Sequence, residues 1–380
     1  MERIYLDHAA TTPMHPRVME KMLAAMNETF GNPSSIHSFG REARHRIDLA
    51  RERMAKSIGA KEVEIIFTSG GTEADNMALF GVAESYQANG KHIITSQIEH
   101  HAVLHAGHKL EKMGYEVTYL PVDETGRVSV AELKNALRED TILVSIMYGN
   151  NEVGTLQPIA EIGELLKDHQ AKFHTDAVQA YGVEKIDVNE CNIDLLSVTA
   201  HKINGPKGIG FLYARENVKL APRQFGGEQE RKRRAGTENV ASIVGFHEAV
   251  LISAEELSEK RNRYMGFKET FIQKLREHRI DFALNGTLEH SLPHVLNLSF
   301  PGTNVEQMLV NLDLAGIAVS SGSACTAGSI EPSHVLVAMF GKGSERLINS
   351  IRFSFGYDTT TEQIVRAAEE TARIVTRLKK

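Results

Sequence analysis

Three short segments in the second half of the chain carry the side chains best suited to chemistry. FHTDAVQ at 173–179 offers a carboxylate, Asp176; TAHKINGPKG at 199–208 offers two amines, Lys202 and Lys207; SSGSACT at 320–326 offers a thiol, Cys325. A carboxylate at one strand end and an amine after the next predicted strand suit a site for pyridoxal phosphate (PLP). The amine forms a Schiff base with the aldehyde, and the carboxylate holds the proton on the pyridinium nitrogen. A Schiff-base lysine needs a fixed position and a lowered pKa, so that the free amine attacks carbonyls. Residue type alone does not separate Lys202 from Lys207, which lies between Pro206 and Gly208. Cys325 sits among Ser321, Gly322, Ser323, Ala324, Ala327 and Gly328. Such neighbours give little packing, which suits a mobile nucleophile better than the buried, inert thiol that a free cysteine usually is. Cys191, in a loop after Asn189-Glu190, fits the inert description and is assigned no role.

Other residues complete the picture. Ser69-Gly70-Gly71-Thr72 follows a predicted strand and opens a helix, where backbone N–H groups and the helix start favour a phosphate. No Lys-Ser/Thr follows the glycines, so this is not a Walker loop, and it is not a G-x-G-x-x-G fingerprint either. Asp176 has an ordinary alternative as a helix cap or half of a buried ion pair. Gln179 is within reach of the ring's phenolic oxygen, or else is a surface amide. His100 is placed to stack on the ring and move protons near neutral pH. His101, His105 and His108 fall on one helix face at metal-ligand spacing. No HExxH occurs and no carboxylate or cysteine joins them, which favours a solvated histidine face over a metal site. No resident metal is expected.

These groups need elements to hold them. β-rich apolar runs at 64–68, 92–96, 116–122, 141–148, 172–177, 194–199 and 208–214 alternate with helical patterns at 41–58, 73–87, 101–113, 130–137 and 159–169. Gly59 and Gly114 stand where helix C-caps belong. Strands separated by helices imply a mainly parallel sheet covered on both faces. From about 238 a long helix to 277 precedes shorter pieces: strands at 294–300, 318–320 and 351–355, helices at 305–314, 332–339 and 361–378. The expectation is an α/β chain with a large sheet domain at 15–257 and a smaller α+β domain from 1–14 plus 258–380. Lys+Arg 43 against Asp+Glu 49 leaves a net charge of −6, which gives no reason to expect a membrane surface or nucleic acid as partner. The basic run 231–234 reads as a solvated loop. Two cysteines, no signal-like start and no apolar span fit a reducing, cytoplasmic setting.

Taken together, the segments YLDHAATTP, GNPSSIHSFG, TSGGTEADN, EHHAVL, NNEVGTLQP, HTDAVQ, TAHKINGPKGIGFLY, RAGTEN, SSGSACTAGSIEPSHVL and SIRFSFG resemble one family over nearly the whole chain. That family is the cysteine desulfurases, PLP-dependent transferases of the aminotransferase class V-like fold (fold type I). The resemblance implies that Lys202 carries the cofactor and that Asp176 pairs with its ring nitrogen. Gln179 and Asn151 would contact the ring, with Asn151 also near substrate. Gly71, Thr72, Thr199 and His201 would bind the phosphate, and Thr237 would reach the phosphate of the other subunit of a homodimer. Arg352 would clamp the carboxylate of L-cysteine. His100 would stack on the ring, and is a candidate to take the proton of Cys325. Cys325 would accept sulfur as a persulfide, leaving L-alanine. It could also transiently ligate an iron–sulfur cluster. The SSGSAC loop is the longer of the family's two forms, and Thr199-Ala200-His201-Lys202 departs from the common Ser-Gly-His-Lys while keeping the hydroxyl. Members that serve U-type iron–sulfur scaffolds carry a further C-terminal tail. The ending Leu378-Lys379-Lys380 therefore favours another acceptor, such as a tRNA-thiolating enzyme, over such a scaffold. The competing expectations are a selenocysteine lyase or an aminotransferase on the same fold, and a non-catalytic sulfur-relay subunit.

Overall fold

Alternate residues of the central strands face two separate cores. Ile65 and Phe67, Leu196 and Val198, and Phe211 and Tyr213 enter one apolar cluster, while Ile66, Leu195, Leu212 and Ala214 enter the other. A sheet with both faces apolar must be covered on both sides, and helices do so. The computed structural model describes residues 3–321 and 332–379.

The first part of the chain runs β1 (Ile4–Tyr5), α1 (Pro16–Glu28), α2 (Ser38–Ser57), β2 (Ile65–Thr68), α3 (Gly71–Tyr86), β3 (His92–Ser96), α4 (His101–Lys112) and β4 (Glu116–Leu120). It continues through α5 (Val130–Ala136), β5 (Thr141–Ser145), α6 (Ile159–Leu166), β6 (Lys172–Asp176), β7 (Leu195–Thr199) and β8 (Gly210–Ala214). Seven strands form one sheet in the order β2-β8-β7-β6-β5-β3-β4. Only β8 runs against its neighbours, so the sheet is mainly parallel as expected. The carboxyl ends of β2, β3, β5, β6 and β7 therefore share one edge, where open α/β sheets bind ligands.

The second part begins with α7 (Val240–Glu277), 38 residues long and about 57 Å from end to end. It packs on α1 and α2 and also on the C-terminal helix α11. Between them lie β9 (Ala283–Asn285), β10 (Val295–Ser299), α8 (Val305–Leu314), β11 (Ile317–Ala318), α9 (His334–Phe340), α10 (Arg346–Asn349) and β12 (Ser350–Ser354), followed by α11 (Thr361–Leu378). β12, β10 and β9 form an antiparallel sheet, and β1 pairs in parallel with β11. The N-terminal segment thus reaches across to the chain's last third.

Helix α2 ends before Gly59 (φ 72°) and α4 before Gly114 (φ 89°), left-handed positions that glycine adopts without strain. Sequence patterning places no helix before 41, yet α1 forms with Pro16 in its first turn and the His15 imidazole accepting from Arg17 N at 3.1 Å. The strand expected at 141–148 stops at Ser145. Residues after it leave the sheet to line the site. β1, β9 and α10 are too short for periodicity to reveal.

Candidate active site

At the shared edge lies a cavity of about 400 Å³. Its lining includes Gly71, Thr72, His100, Asn151, Asp176, Gln179, Thr199, His201, Lys202 and Arg352, brought from both sheets and from the N-terminal segment through Ala9 and Ala10. The structure separates the two lysines. Lys207 is exposed, whereas Lys202 follows β7 and points its Nζ at the carbonyls of Ala9 and, at 2.8 Å, Ala10. Burial and the nearby Arg352 charge lower the Lys202 pKa to about 8, against the opposing pull of Asp176 and Asp7. About a tenth of such amines are unprotonated at pH 7.

Asp176 ends β6 and accepts from Val178 N at 2.9 Å. Burial raises its pKa to about 6, partly countered by that N–H and by Lys202. Sequence reasoning missed its neighbour Asp75, which lines the same cavity from α3 and is 1% exposed. Burial and the charge of Asp176 push Asp75 well above the usual carboxylate range. Asp75 Oδ1 has no hydrogen-bond partner among the described residues and lies 3.7 Å from His174 Nε2. His174 bridges Ser145 and Ser197 at 2.8 and 3.0 Å, and burial lowers its pKa to about 3, so the ring is neutral.

His100 caps α4, its Nδ1 accepting from Ala102 N at 3.1 Å. A backbone N–H only donates, so the neutral ring carries its proton on Nε2. The ring opens onto the cavity, yet burial among the surrounding atoms and the Lys202 charge lower its pKa to about 4. It rests with Nε2 as a donor, and its one basic nitrogen, Nδ1, is engaged by Ala102 N. His201 is likewise lowered by burial and Lys202, and its Nδ1 meets Thr11 Oγ1 at 3.1 Å. Gln179 is no surface amide: its Nε2 donates to Ala9 O at 2.9 Å and its Oε1 meets His294 Nε2 at 3.1 Å.

The α3 start makes a cradle for an anion. A Cβ on Gly71 would come 2.7 Å from Val178 Cγ2, and one on Gly210 2.9 Å from Gly70 Cα, so glycine permits this close approach. Thr199 Oγ1 and His201 stand beside the unpaired first amides of the helix. The turn is braced from behind: Glu73 accepts from Ser69 N at 2.7 Å and from Arg234 Nε at 2.8 Å. The basic run at 231–234 is therefore not simply solvated. Arg233 also donates to Val63 O at 2.8 Å, while Arg231 and Lys232, the latter paired with Glu228, are exposed.

Arg352 on β12 is 4% exposed; its Nη2 pairs with Asp7 Oδ1 at 2.8 Å and its Nη1 donates to Asn151 O at 2.9 Å. Its Nε has no partner among the described residues. A guanidinium with donors to spare at the cavity wall suits a carboxylate ligand. Glu152 lines the same wall, holds Ser333, and has its pKa raised by burial. The amine, the buried carboxylate of Asp176 and the glycine cradle together fit PLP. Thr237 is exposed and outside this cavity, and Cys325 lies outside the described residues. Cys191 is half-buried against the main core, and burial raises its thiol pKa. The rings of His101 and His105 stand 5.0 Å apart and those of His105 and His108 6.3 Å apart, all three exposed along α4. Among the described residues no group of three or more His, Cys, Asp or Glu is placed to hold a metal, and no helix is long and apolar enough to cross a membrane.

Glu99 lies behind His100, fully buried, accepting from Ser96 Oγ at 2.6 Å and Met147 N at 3.0 Å. Burial raises its pKa to about 8 despite those two bonds. The folded chain thus keeps a proton that the unfolded chain releases above pH 4.5. Stability from this group is complete below that pH and is lost as pH rises toward 8, by of order 4 kcal/mol. Glu99→Gln is expected to abolish that slope. Urea denaturation at pH 5, 7 and 8.5 checks it: equal slopes in both proteins would mean Glu99 is ionised in the fold.

A model of the aminotransferase class-V family matches residues 4–366. A putative cysteine desulfurase IscS 1 of Bacillus subtilis (strain 168) is 64% identical over 378 residues, covering 100% of both chains. Among solved structures, a NifS-like protein is 37% identical with a TM-score of 0.92, covering 99% of this chain and 100% of its own. SspA in complex with cysteine is also 37% identical, with a TM-score of 0.82, covering 93% of this chain and 98% of its own.

Proposed function

Because the chain belongs to the aminotransferase class-V family and, within it, to the PLP-dependent cysteine desulfurases, we propose that this cavity takes L-cysteine, releases L-alanine and places the sulfur on Cys325 as a persulfide. The observation that carries the reading is the convergence of Lys202, Asp176, Gln179 and Arg352 on one cavity, with a lysine whose pKa is low enough to supply free amine. Lys202 would hold PLP covalently. Asp176 would keep the ring nitrogen protonated. Gln179 and Asn151 would flank the ring, and Gly71, Thr72, Thr199 and His201 would hold the phosphate.

When bound, PLP supplies an electron-poor ring that stabilises negative charge on the carbon next to the substrate nitrogen. Lys202 Nζ, held by Ala9 and Ala10, takes and returns the proton at that carbon. Arg352 orients the substrate carboxylate through its unspent donors. His100 points a hydrogen-bond donor, Nε2–H, into the cavity. The Cys325 thiolate forms an S–S bond to the substrate sulfur as the carbon–sulfur bond breaks. The electron pair left on carbon takes up a proton, which balances the one the Cys325 thiol lost on becoming thiolate, so alanine leaves and no outside oxidant is needed. The described flanks of the SSGSACT segment both reach the cavity, through Ser320, whose backbone pairs with Arg352, and through His334.

A homodimer belongs to this reading, with Thr237 reaching the partner's phosphate; its exposure outside its own cavity supports that place. So do a division at 15–257 and 1–14 plus 258–380, a cytoplasmic setting, and an acceptor that is a tRNA thiolase or an iron–sulfur scaffold. The pairing of β1 with β11 supports joining the N-terminus to the smaller unit.

The test is alanine formation from L-cysteine with no keto acid added. An aminotransferase needs the keto acid, and a relay subunit forms no alanine. Transfer of radiolabelled sulfur into cell extract then identifies the acceptor. Arg352→Ala is expected to raise KM for L-cysteine about 10- to 100-fold, the loss of a charge-assisted hydrogen bond, with little change in cofactor absorbance. An unchanged KM would remove Arg352 from the substrate's contacts.

A further inference from the structure

Strand β2 is an edge of the seven-stranded sheet, paired with β8 on one side alone. In such a pair the N–H and C=O groups of alternate residues point toward the neighbour and away from it. Outward groups on an edge strand ordinarily face water or invite another chain. Along β2 and its flanks, charged side chains meet them instead. Arg233 Nη2 donates to Val63 O at 2.8 Å and Arg51 Nη1 to Ile65 O at 2.8 Å. Phe67 N donates to Glu230 Oε2 at 3.0 Å and Ser69 N to Glu73 Oε2 at 2.7 Å. The four residues served share one parity, so the side chains form a ladder where a strand would otherwise lie.

The ladder is cross-tied. Arg51 and Glu230, both buried, make two bonds at 2.7 and 2.8 Å. Arg234 holds both oxygens of Glu73 at 2.8 and 3.2 Å. Glu230, Arg233 and Arg234 come from one loop, in which Glu230, Arg231 and Lys232 have successive φ of 47°, 57° and 67°. Left-handed backbone is unfavourable for any residue with a Cβ, and it persists only where surrounding contacts impose it. Arg231 and Lys232 are exposed and make no use of it. What the turn achieves is to aim Glu230 on one side of it, and Arg233 and Arg234 on the other, at the same edge.

The last rung belongs to the glycine turn. Glu73 sits in the first turn of α3, beside the amides that face the cavity. Burial works to raise its pKa, but the bonds from Arg234 and Ser69 hold it below the usual carboxylate range, so it is ionised. An unpaired anion there would repel a phosphate, and Arg234 cancels its charge. We propose that Arg51 and Glu230 are the positioning pair of this cradle: through the turn they impose they set Arg234 on Glu73 and Glu73 on Ser69 N, so that Gly70, Gly71 and Thr72 meet an anion with the adjacent carboxylate neutralised. The consequence for the cofactor rests on the phosphate role proposed above for Gly71 and Thr72; the ladder does not.

Two measurements separate the ladder from its consequence. Hydrogen exchange of the wild type is expected to be slow at Phe67 N–H although no strand adjoins it. In Arg51→Met/Glu230→Met, which leaves neither charge buried alone, exchange there is expected to rise at least about tenfold, while Ile66 and Thr68, whose amides face β8, are unchanged. Fast exchange at Phe67 in the wild type overturns the ladder. Dissociation constants of the apoprotein for PLP and for pyridoxal, which lacks the phosphate, read the positioning role. Arg234→Gln and the double variant are each expected to weaken PLP about 10- to 100-fold, the loss of a charge-assisted hydrogen bond, and to leave pyridoxal unchanged. Adding Glu73→Gln to Arg234→Gln is expected to recover about tenfold, since an amide oxygen still accepts from Ser69 N and carries no charge. Should the double variant fail to fold by circular dichroism, Arg51→Lys, which keeps the charge and loses the two-bonded geometry, takes its place with an expected loss of about tenfold for PLP. Unchanged PLP affinity in the folded variants, equal weakening of PLP and pyridoxal, or no recovery with Glu73→Gln overturns the positioning role. A wild type that binds no PLP would instead strike the functional reading and leave the exchange result to decide the ladder.

Discussion

Lys202→Ala is expected to lose the visible absorbance of bound cofactor on dialysis and to form alanine from L-cysteine at least about 10⁴-fold more slowly, the scale on which removal of a covalent nucleophile acts. The expectation rests on placement. Lys202 sits at the carboxyl end of β7, held at the carbonyls of Ala9 and Ala10, with its pKa lowered to about 8 by burial and Arg352. Lys207 is exposed and outside the cavity. Lys207→Ala should therefore keep both absorbance and activity. Borohydride reduction of the wild-type holoprotein, followed by peptide mapping, checks the assignment directly. A label on Lys207 or on any lysine other than Lys202 would overturn it.

Cys325→Ala is expected to behave in the opposite way. Cofactor absorbance stays at the wild-type level, because none of the groups assigned to PLP is touched. Alanine and sulfide formation from L-cysteine falls by about 10³-fold or more, since no other described thiol can take the sulfur. Cys191, the one described free cysteine, is half-buried away from the cavity and its thiol pKa is raised by burial. Mass spectrometry of the wild type after L-cysteine is expected to show one added sulfur on the SSGSACT peptide. Near-normal turnover in Cys325→Ala, or added sulfur on the Cys191 peptide, would remove Cys325 from the acceptor role.

The sequence carried much of the site because strand ends are local. A run such as Lys172–Asp176 declares itself by apolar β-formers, and its last residue must face the ligand edge. Asp176 could be read that way, and Thr72 from the glycine turn that opens a helix. Asp75, Glu99, Glu152 and His294 could not. Each looks ordinary in sequence and becomes chemical only when distant segments bury it. Asp75 lies on a helix face packed on the sheet, and His294 meets Gln179 across 115 positions. The brace from Arg234 to Glu73 spans 161 positions, which is why a basic run that looks solvated turns out to hold the glycine turn.

What the sequence by itself determined was the kind of chemistry: an amine, a carboxylate and a thiol in segments that mark a family, set on alternating strands and helices. What only the tertiary structure decided was the state of those groups. It put Lys202 in the cavity and left Lys207 exposed, put the His100 proton on Nε2 and turned the Gln179 amide. The physical reason is that pKa and tautomer depend on burial and on hydrogen-bond partners. In this chain those partners come from Ala9, Ala10 and His294, which folding brings in from far along the backbone.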